Sequence, residues 1–290
     1  MNKILTSEAL TERLYKVSKE ANKGSMGTLT AVAGSHCFRG AADLTVGAAL
    51  RTGCGIVRLI SVEKVVSLVS VRHPSAVFLP VAENSGGMIS ASAISDISMA
   101  VAKSSAVLVG PGLGQSTDTA GVVSTVASFS NKTVIDADAI NIISQNNELL
   151  NTFRKTFVIT PHVGEMSRLT GLTIEEIKKN PTKIASDFSK KHNCVTVLKD
   201  FIVYLSNENG DVYESRLGNA GLAKGGSGDV LSGFIAGFLA RGYSAEDAAI
   251  IGTVLHGLSA ERCAKERGMT AMLPSELEEY AVKVLKELGY

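Results

Sequence analysis

Six short, uninterrupted apolar runs alternate along this chain with helix-length amphipathic stretches, and no other feature narrows the fold as much. Residues 28–34 (TLTAVAG), 55–61 (GIVRLIS), 105–110 (SAVLVG), 132–136 (KTVID), 156–160 (TFVIT) and 194–199 (CVTVLK) are rich in β-branched side chains. They lack the polar alternation of a half-exposed strand, so they read as strands covered on both faces. Residues 41–52, 90–103, 117–130 and 181–192 read as the helices between them. This alternation predicts an α/β sandwich around a mainly parallel sheet. After Lys199 the pattern changes. Residues 201–206 and 212–216 suggest a hairpin turning at Asn209-Gly210, and 229–241, 245–266 and 275–288 suggest a helical C-terminal third. No Pro/Ser-rich linker or repeat interrupts the chain, so one domain over residues 1–290 is expected.

Composition excludes several classes of function. Twenty-nine basic and 28 acidic residues leave a net charge of +1, and tryptophan is absent. That is a poor basis for a basic nucleic-acid surface or a base-stacking platform. Residues 230–240 form the longest near-apolar run, about half a membrane span, and residues 1–10 lack the apolar core of a leader. Cys37, Cys54, Cys194 and Cys263 form no CxxC pair, so free thiols in a reducing cytoplasm are expected.

In a parallel sheet, ligands bind beyond the carboxyl ends of the strands, which directs attention to the loops there. The densest is 218–233, GNAGLAKGGSGDVLSG. Gly225, Gly226 and Gly228 crowd the start of a helix, where unpaired N–H groups and the helix dipole form an anion site. Asp229 is either the cap of that helix or a carboxylate placed beside a bound phosphate to take a proton from an attacking hydroxyl. No Walker A loop is present, and Gly110-Pro-Gly-Leu-Gly114 has the wrong spacing for a dinucleotide fingerprint. His162 and Glu165 follow the 156–160 strand in TPHVGE, as binding residues or as helix-capping structure. Asp136 and Asp138, in the DADAIN loop ending at Asn141, either help hold a cation or close the loop by local hydrogen bonds.

Taken together, GPGLG (110–114), DADAIN (136–141), TPHVGE (160–165) and NAGLAKGGSGDV (219–230), with GAADLTVGAALRTGCGIVR (40–58), resemble the ADP/ATP-dependent NAD(P)H-hydrate dehydratases of the ribokinase-like superfamily. The resemblance runs from about residue 20 to 265 and implies a three-layer αβα sandwich. It implies repair of a hydrated nicotinamide. A phosphoryl group passes from ADP or ATP, with Mg²⁺, to the C6 hydroxyl, and phosphate is then eliminated. Asp229 matches the family's base, with Gly226 and Gly228 beside it holding the transferring group. Ala42, Gly112, His162 and Asp229 match positions that meet the hydrated NADH or NADPH. Ala41 is the neighbour if the register slips by one, and Asn141 is a further candidate. Lys199, Asp200, Phe201, Ile202, Val203, Gly228 and Asn219 fall on the adenine-nucleotide side, and no protein metal ligand is assigned. Asp200 and Phe201 depart from the family's small, flexible residues, and Ser227 stands where Thr is common.

Family members are often fused to an epimerase. This length implies the stand-alone dehydratase, the resemblance implies a homotetramer with a separate epimerase as a candidate partner, and a cytoplasmic location is expected. Two rivals are a kinase of the same superfamily acting on a vitamin alcohol such as hydroxyethylthiazole, and a non-catalytic nucleotide-binding protein. TPHVGE with GPGLG favours the dehydratase over the first, and Asp229 argues against the second.

Overall fold

The computed structural model describes residues 3–153 and 156–290. Its strands are β1 (Lys3–Leu5), β2 (Thr28–Val32), β3 (Ile56–Val62), β4 (Val77–Val81), β5 (Ala106–Val109), β6 (Thr133–Ile135), β7 (Phe157–Ile159), β8 (Cys194–Leu198), β9 (Val203–Ser206) and β10 (Val212–Ser215). They form one sheet in the order β1-β10-β9-β8-β7-β6-β5-β2-β3-β4. Neighbours from β4 to β8 all pair in parallel, β9 runs antiparallel to β8 and β10, and β1 joins β10 in parallel. The apolar runs become central strands because helices cover both faces. Leu29, Leu59, Val107, Leu108, Val134, Val158 and Val195 are fully buried.

The helices are α1 (Glu8–Arg13), α2 (Arg39–Arg51), α3 (Glu63–Arg72), α4 (Ile94–Ala102), α5 (Thr117–Phe129), α6 (Asp138–Gln145), α7 (Val163–Thr170), α8 (Ile174–Lys179), α9 (Pro181–His192), α10 (Ser227–Ala240), α11 (Ala245–Arg267) and α12 (Leu277–Glu287). α1, α2, α3, α10, α11 and α12 pack into one layer, and α4 through α9 follow one another across the opposite layer. The α/β sandwich expected from the alternation, in the three-layer form that the resemblance implies, is the architecture found.

Several local expectations need correction. Strands β1 and β4 and helices α1, α3, α6, α7 and α8 are additional to those read from the sequence. The hairpin does turn at Asn209-Gly210, within a five-residue loop, 207–211. Asn207 Oδ1 accepts from the N–H groups of Asn209 and Asp211, and the Gly210 N–H donates to the Asn207 carbonyl. Phe201 lies before β9 and is 88% exposed. Of residues 1–10, read above for a leader, the first two lie outside the described residues. Among the described residues no helix is long and apolar enough to cross a membrane.

Two features aim the chemistry at one end of the sheet. Between β2 and β5 the winding reverses, because β2 leads outward to β3 and β5 leads the other way to β6. The loops after these strands diverge and open a crevice, the usual ligand position in such sheets. Helices α2 and α10 also run side by side in the same direction. A Cβ on Gly233 would lie 2.6 Å from the Thr45 carbonyl oxygen, and one on Gly237 would lie 2.3 Å from Thr52 Oγ1. This close approach brings both helix N-termini to the carboxyl end of the sheet.

Candidate active site

The glycine-rich loop builds the site's centre. Gly226 caps α10 with φ +101°, a left-handed conformation that disfavours any side chain. Helix α10 therefore begins at Ser227, two residues earlier than the sequence suggested, and Asp229 occupies its third position. It is not the cap. Among the described residues, the N–H groups of Gly225, Gly226, Gly228 and Asp229 donate to nothing. Four free donors at the positive end of a helix are a ready anion site. Gly228 keeps this site open, since a Cβ there would lie 3.3 Å from Lys199 Nζ.

A knot of charge surrounds this N-terminus. Lys199, its side chain 20% exposed, donates from Nζ to Asp136 Oδ1 at 2.9 Å, and Asp136 is almost wholly buried. Burial alone would lower the Lys199 pKa, but Asp136, Glu165 and Asp229 together raise it, so the ammonium stays charged. Asp229 is pushed up to about 7, first by burial and then by the Asp136 charge, with Lys199 opposing. No group among the described residues hydrogen-bonds its carboxylate. Glu165 is likewise raised to about 7, chiefly by burial.

His162 caps α7. Its Nδ1 accepts from the Gly164 and Glu165 N–H groups at 2.9 and 3.3 Å, and Glu165 Oε2 accepts the His162 N–H at 2.7 Å. The capping and binding readings of this segment are therefore compatible. Because Nδ1 is an acceptor, the neutral ring carries its hydrogen on Nε2. Burial, Lys199 and Arg168 lower its pKa, which favours that neutral form. His162 is locked to Lys199 by a parallel bridge, with the Lys199 N–H donating to the Pro161 carbonyl at 2.8 Å.

The switch-point loops are stitched to one another. The Gly34 N–H donates to the Pro111 carbonyl and Ser35 Oγ to the Gly112 carbonyl, both at 2.8 Å. Asp138 closes this wall through its carboxylate, which accepts from the Gly114 N–H at 2.8 Å and from Gln115 Nε2 at 3.1 Å. Ala137, between the two aspartates, is held at φ +51°, ψ −119°, a strained conformation for alanine. That strain turns Asp136 toward Lys199 and Asp138 toward Gly114. Of the alternative pair, Ala41 is half-buried with its Cβ against Gly112, while Ala42 is fully buried against Gly34. Asn141 Oδ1 accepts from Arg168 Nε at 2.9 Å.

On the other side of α10 lies a cleft of about 610 Å³, within the size range of small-ligand sites. His162, Lys199, Asp200, Phe201, Val203, Asn219 and Gly228 line it, so the structure gathers most residues expected on the nucleotide side. Ile202, Gly226 and Asp229 are not on its wall. Asp200 is tied loosely to Lys178 at 3.9 Å. Arg216, Leu231, Thr253 and His256 also line the cleft and were not anticipated from the sequence. The one signal was a polar pair, Thr253 and His256, one turn apart within an otherwise apolar stretch of helix.

The chain resembles known proteins over nearly its whole length. A family model described as NAD(P)H-hydrate dehydratase matches residues 29–283. A "Bifunctional NAD(P)H-hydrate repair enzyme Nnr" of Moorella thermoacetica is 31% identical over 287 residues, 99% of this chain and 54% of its own. This chain thus spans about half the length of that curated relative. An "ADP-dependent (S)-NAD(P)H-hydrate dehydratase" of Bacillus subtilis is 30% identical, with 97% of both chains covered. The crystal structure of an ADP/ATP-dependent NAD(P)H-hydrate dehydratase from Bacillus subtilis, co-crystallized with ATP/Mg²⁺, matches at 27% identity with a TM-score of 0.85 over 99% of both chains. The fold is therefore ribokinase-like, and the chain belongs to the NAD(P)H-hydrate dehydratase family.

Proposed function

We propose that this chain restores NADH and NADPH from their hydrates at the expense of ADP or ATP. The observation that carries the reading is Asp229. It is an unbonded carboxylate raised to about 7, standing between the nucleotide cleft and the switch-point loops on the free N-terminus of α10. A base with a pKa near 7 is matched to neutral operation.

In this scheme the adenine nucleotide lies in the cleft along Lys199, Asp200, Phe201, Val203, Asn219 and Gly228, with Ile202 off its wall. The hydrate lies along Ala41 or Ala42, Gly112, Asn141 and His162. Asp229 takes the C6 hydroxyl proton, and the freed oxygen bonds to the terminal phosphorus as the bridging P–O bond to the nucleotide breaks. Backbone donors of Gly226 and Gly228 hold the transferring charge, and such preorganised donors are worth roughly 2.7–4 kcal/mol each. The ring nitrogen's lone pair then expels phosphate with the C6–O electrons. Loss of a proton from the adjacent ring carbon completes the double bond. Hydroxide would leave poorly, and phosphate leaves well.

Among the described residues no three His, Cys, Asp or Glu side chains are arranged to cage a metal. The residues fit Mg²⁺ as an ion carried by the nucleotide phosphates, with Asp136 as its protein contact, because Asp136 Oδ2 has no hydrogen-bond partner among the described residues. When bound, Mg²⁺ supplies neutralisation of phosphate charge. A cytoplasmic homotetramer working beside a separate epimerase belongs to the same proposal.

The test is spectrophotometric. Hydrated NADPH, Mg²⁺ and either ADP or ATP are mixed with the protein, and the reduced-nicotinamide absorbance is followed. A nucleotide-dependent rise is expected, and the nucleotide that works identifies the donor. No rise with either, despite nucleotide-induced stabilisation, would overturn the reading in favour of a kinase acting on another alcohol.

A further inference from the structure

Three polar atoms on residues that line the nucleotide cleft have no partner among the described residues. Ser227 Oγ, Thr253 Oγ1 and His256 Nε2 are buried without a hydrogen bond, and all three side chains line the cleft. Their residues are 6%, 4% and 8% exposed. Buried polar groups in native proteins are almost always paired, so three orphans on residues lining one cavity point to a ligand that pairs them.

The backbone is built to seat two of them. Thr253 and His256 lie one turn apart on one face of α11. They are flanked by Gly252 and Gly257, each pressed against a neighbour. A Cβ on Gly252 would lie 2.5 Å from Ile235 Cγ1, and one on Gly257 would lie 2.6 Å from Leu217 Cβ. Glycine inside a helix is unfavourable, yet here it lets α11 close on α10 and the 217–218 loop, which sets residues 253 and 256 into the cleft.

The chemistry of the orphans limits their partner. His256 is pushed down to about 4 by burial, so its ring stays neutral and carries one hydrogen. With that hydrogen on Nδ1, Nε2 is a lone-pair acceptor. It repels phosphate oxygens, which the free N–H groups of α10 take instead, and it requires a donor. Thr253 and Ser227 offer hydroxyls that donate or accept.

We infer that Thr253 and His256, with Ser227, form a nucleoside-reading subsite that accepts a hydrogen bond from an N–H or O–H donor of the nucleotide, on the base or on the ribose. The inference rests on the nucleotide reading of the cleft. An exocyclic amine satisfies Nε2, whereas a ring carbonyl in the same place would set acceptor against acceptor. A ribose hydroxyl would satisfy Nε2 whatever the base.

Affinities of ADP, IDP, 2′-deoxy-ADP and 3′-deoxy-ADP test this by calorimetry, on the wild type, His256→Leu and His256→Gln. The wild type should bind one analogue roughly tenfold more weakly than ADP, about the loss expected for one unmade buried hydrogen bond. Weak IDP binding assigns the amine, and weak binding of a deoxy analogue assigns that hydroxyl. His256→Leu should weaken ADP by a similar factor without further weakening that one analogue. His256→Gln, which presents an amide oxygen, should recover part of the loss. Equal wild-type affinity for all four ligands would overturn the subsite even if His256→Leu fails to fold, as would an equal loss in His256→Leu against all four. A wild type that binds neither ADP nor ATP would instead overturn the nucleotide reading of the cleft.

Discussion

Asp229→Asn should stabilise the protein while abolishing turnover, and the stabilisation should grow with pH. The carboxyl is raised from an ordinary value of 3.8 to about 7. Below about pH 4 it is protonated in both the folded and the unfolded chain and costs nothing. Between about pH 4 and 7 the unfolded chain ionises first, so wild-type stability falls as pH rises. Above about pH 7 the folded chain carries the charge at full cost. At 1.36 kcal/mol for each pH unit that a pKa moves, that cost approaches about 4 kcal/mol by pH 8 and is about 2 kcal/mol at pH 5.5. Asparagine never ionises and escapes it. Urea unfolding followed by circular dichroism suits a chain without tryptophan. The variant should exceed the wild type by about 2 kcal/mol more at pH 8 than at pH 5.5. Turnover should vanish while nucleotide still binds, because the anion site is backbone. A stability difference independent of pH would refute the electrostatic argument, and an unchanged kcat would refute the base assignment. In the wild type, the same pKa predicts that kcat/KM falls as pH drops through about 7.

Three other perturbations probe the surrounding groups. His162→Ala removes the α7 cap, costing about 1 kcal/mol in stability. It should also raise KM for the hydrate more than for the nucleotide, and an equal rise in both would make His162 a wall of the cleft alone. Gly228→Ala places a methyl 3.3 Å from Lys199 Nζ at the mouth of the anion site. It should lower kcat about tenfold or more with an unfolding midpoint near that of wild type, and normal kinetics would place phosphate elsewhere. Ala137→Gly relieves a backbone strain of about 1–3 kcal/mol. It should stabilise the fold by roughly 1 kcal/mol after glycine's entropic cost, and destabilisation in a melt would show that the φ of +51° is unstrained.

The sheet was legible because burial on both faces leaves a compositional mark. Each of the six apolar runs appears as a strand, since β-branched residues without polar alternation suit few other environments. What escaped was short or mixed. β4 includes Pro80 and sits at the sheet edge, and the three residues of β1 pair with β10 across the whole chain. Helix starts were misjudged where capping was unusual. A carboxylate near a helix start suggests a cap, yet Gly226 performs that role through backbone geometry alone and moves Asp229 into the first turn.

The site was legible as loops but not as a circuit. Spacing marked the glycines, the DADAIN turn and TPHVGE, because each carries its signal within a few residues. Nothing local shows that Asp136 meets Lys199 from 63 positions away, or that Glu165 and Asp229 share its field. Those encounters decide the chemistry. Isolated on a surface helix, Asp229 would titrate near 4 and be a weak base at neutral pH. Burial and the neighbouring Asp136 raise it to about 7, and Lys199 keeps the cluster of acids from rising further. The basicity on which the proposed mechanism depends therefore belongs to the packing of four loops around one helix end. A chain with every motif intact but with Lys199 replaced by a neutral residue should keep its family resemblance, and its Asp229 would titrate higher still.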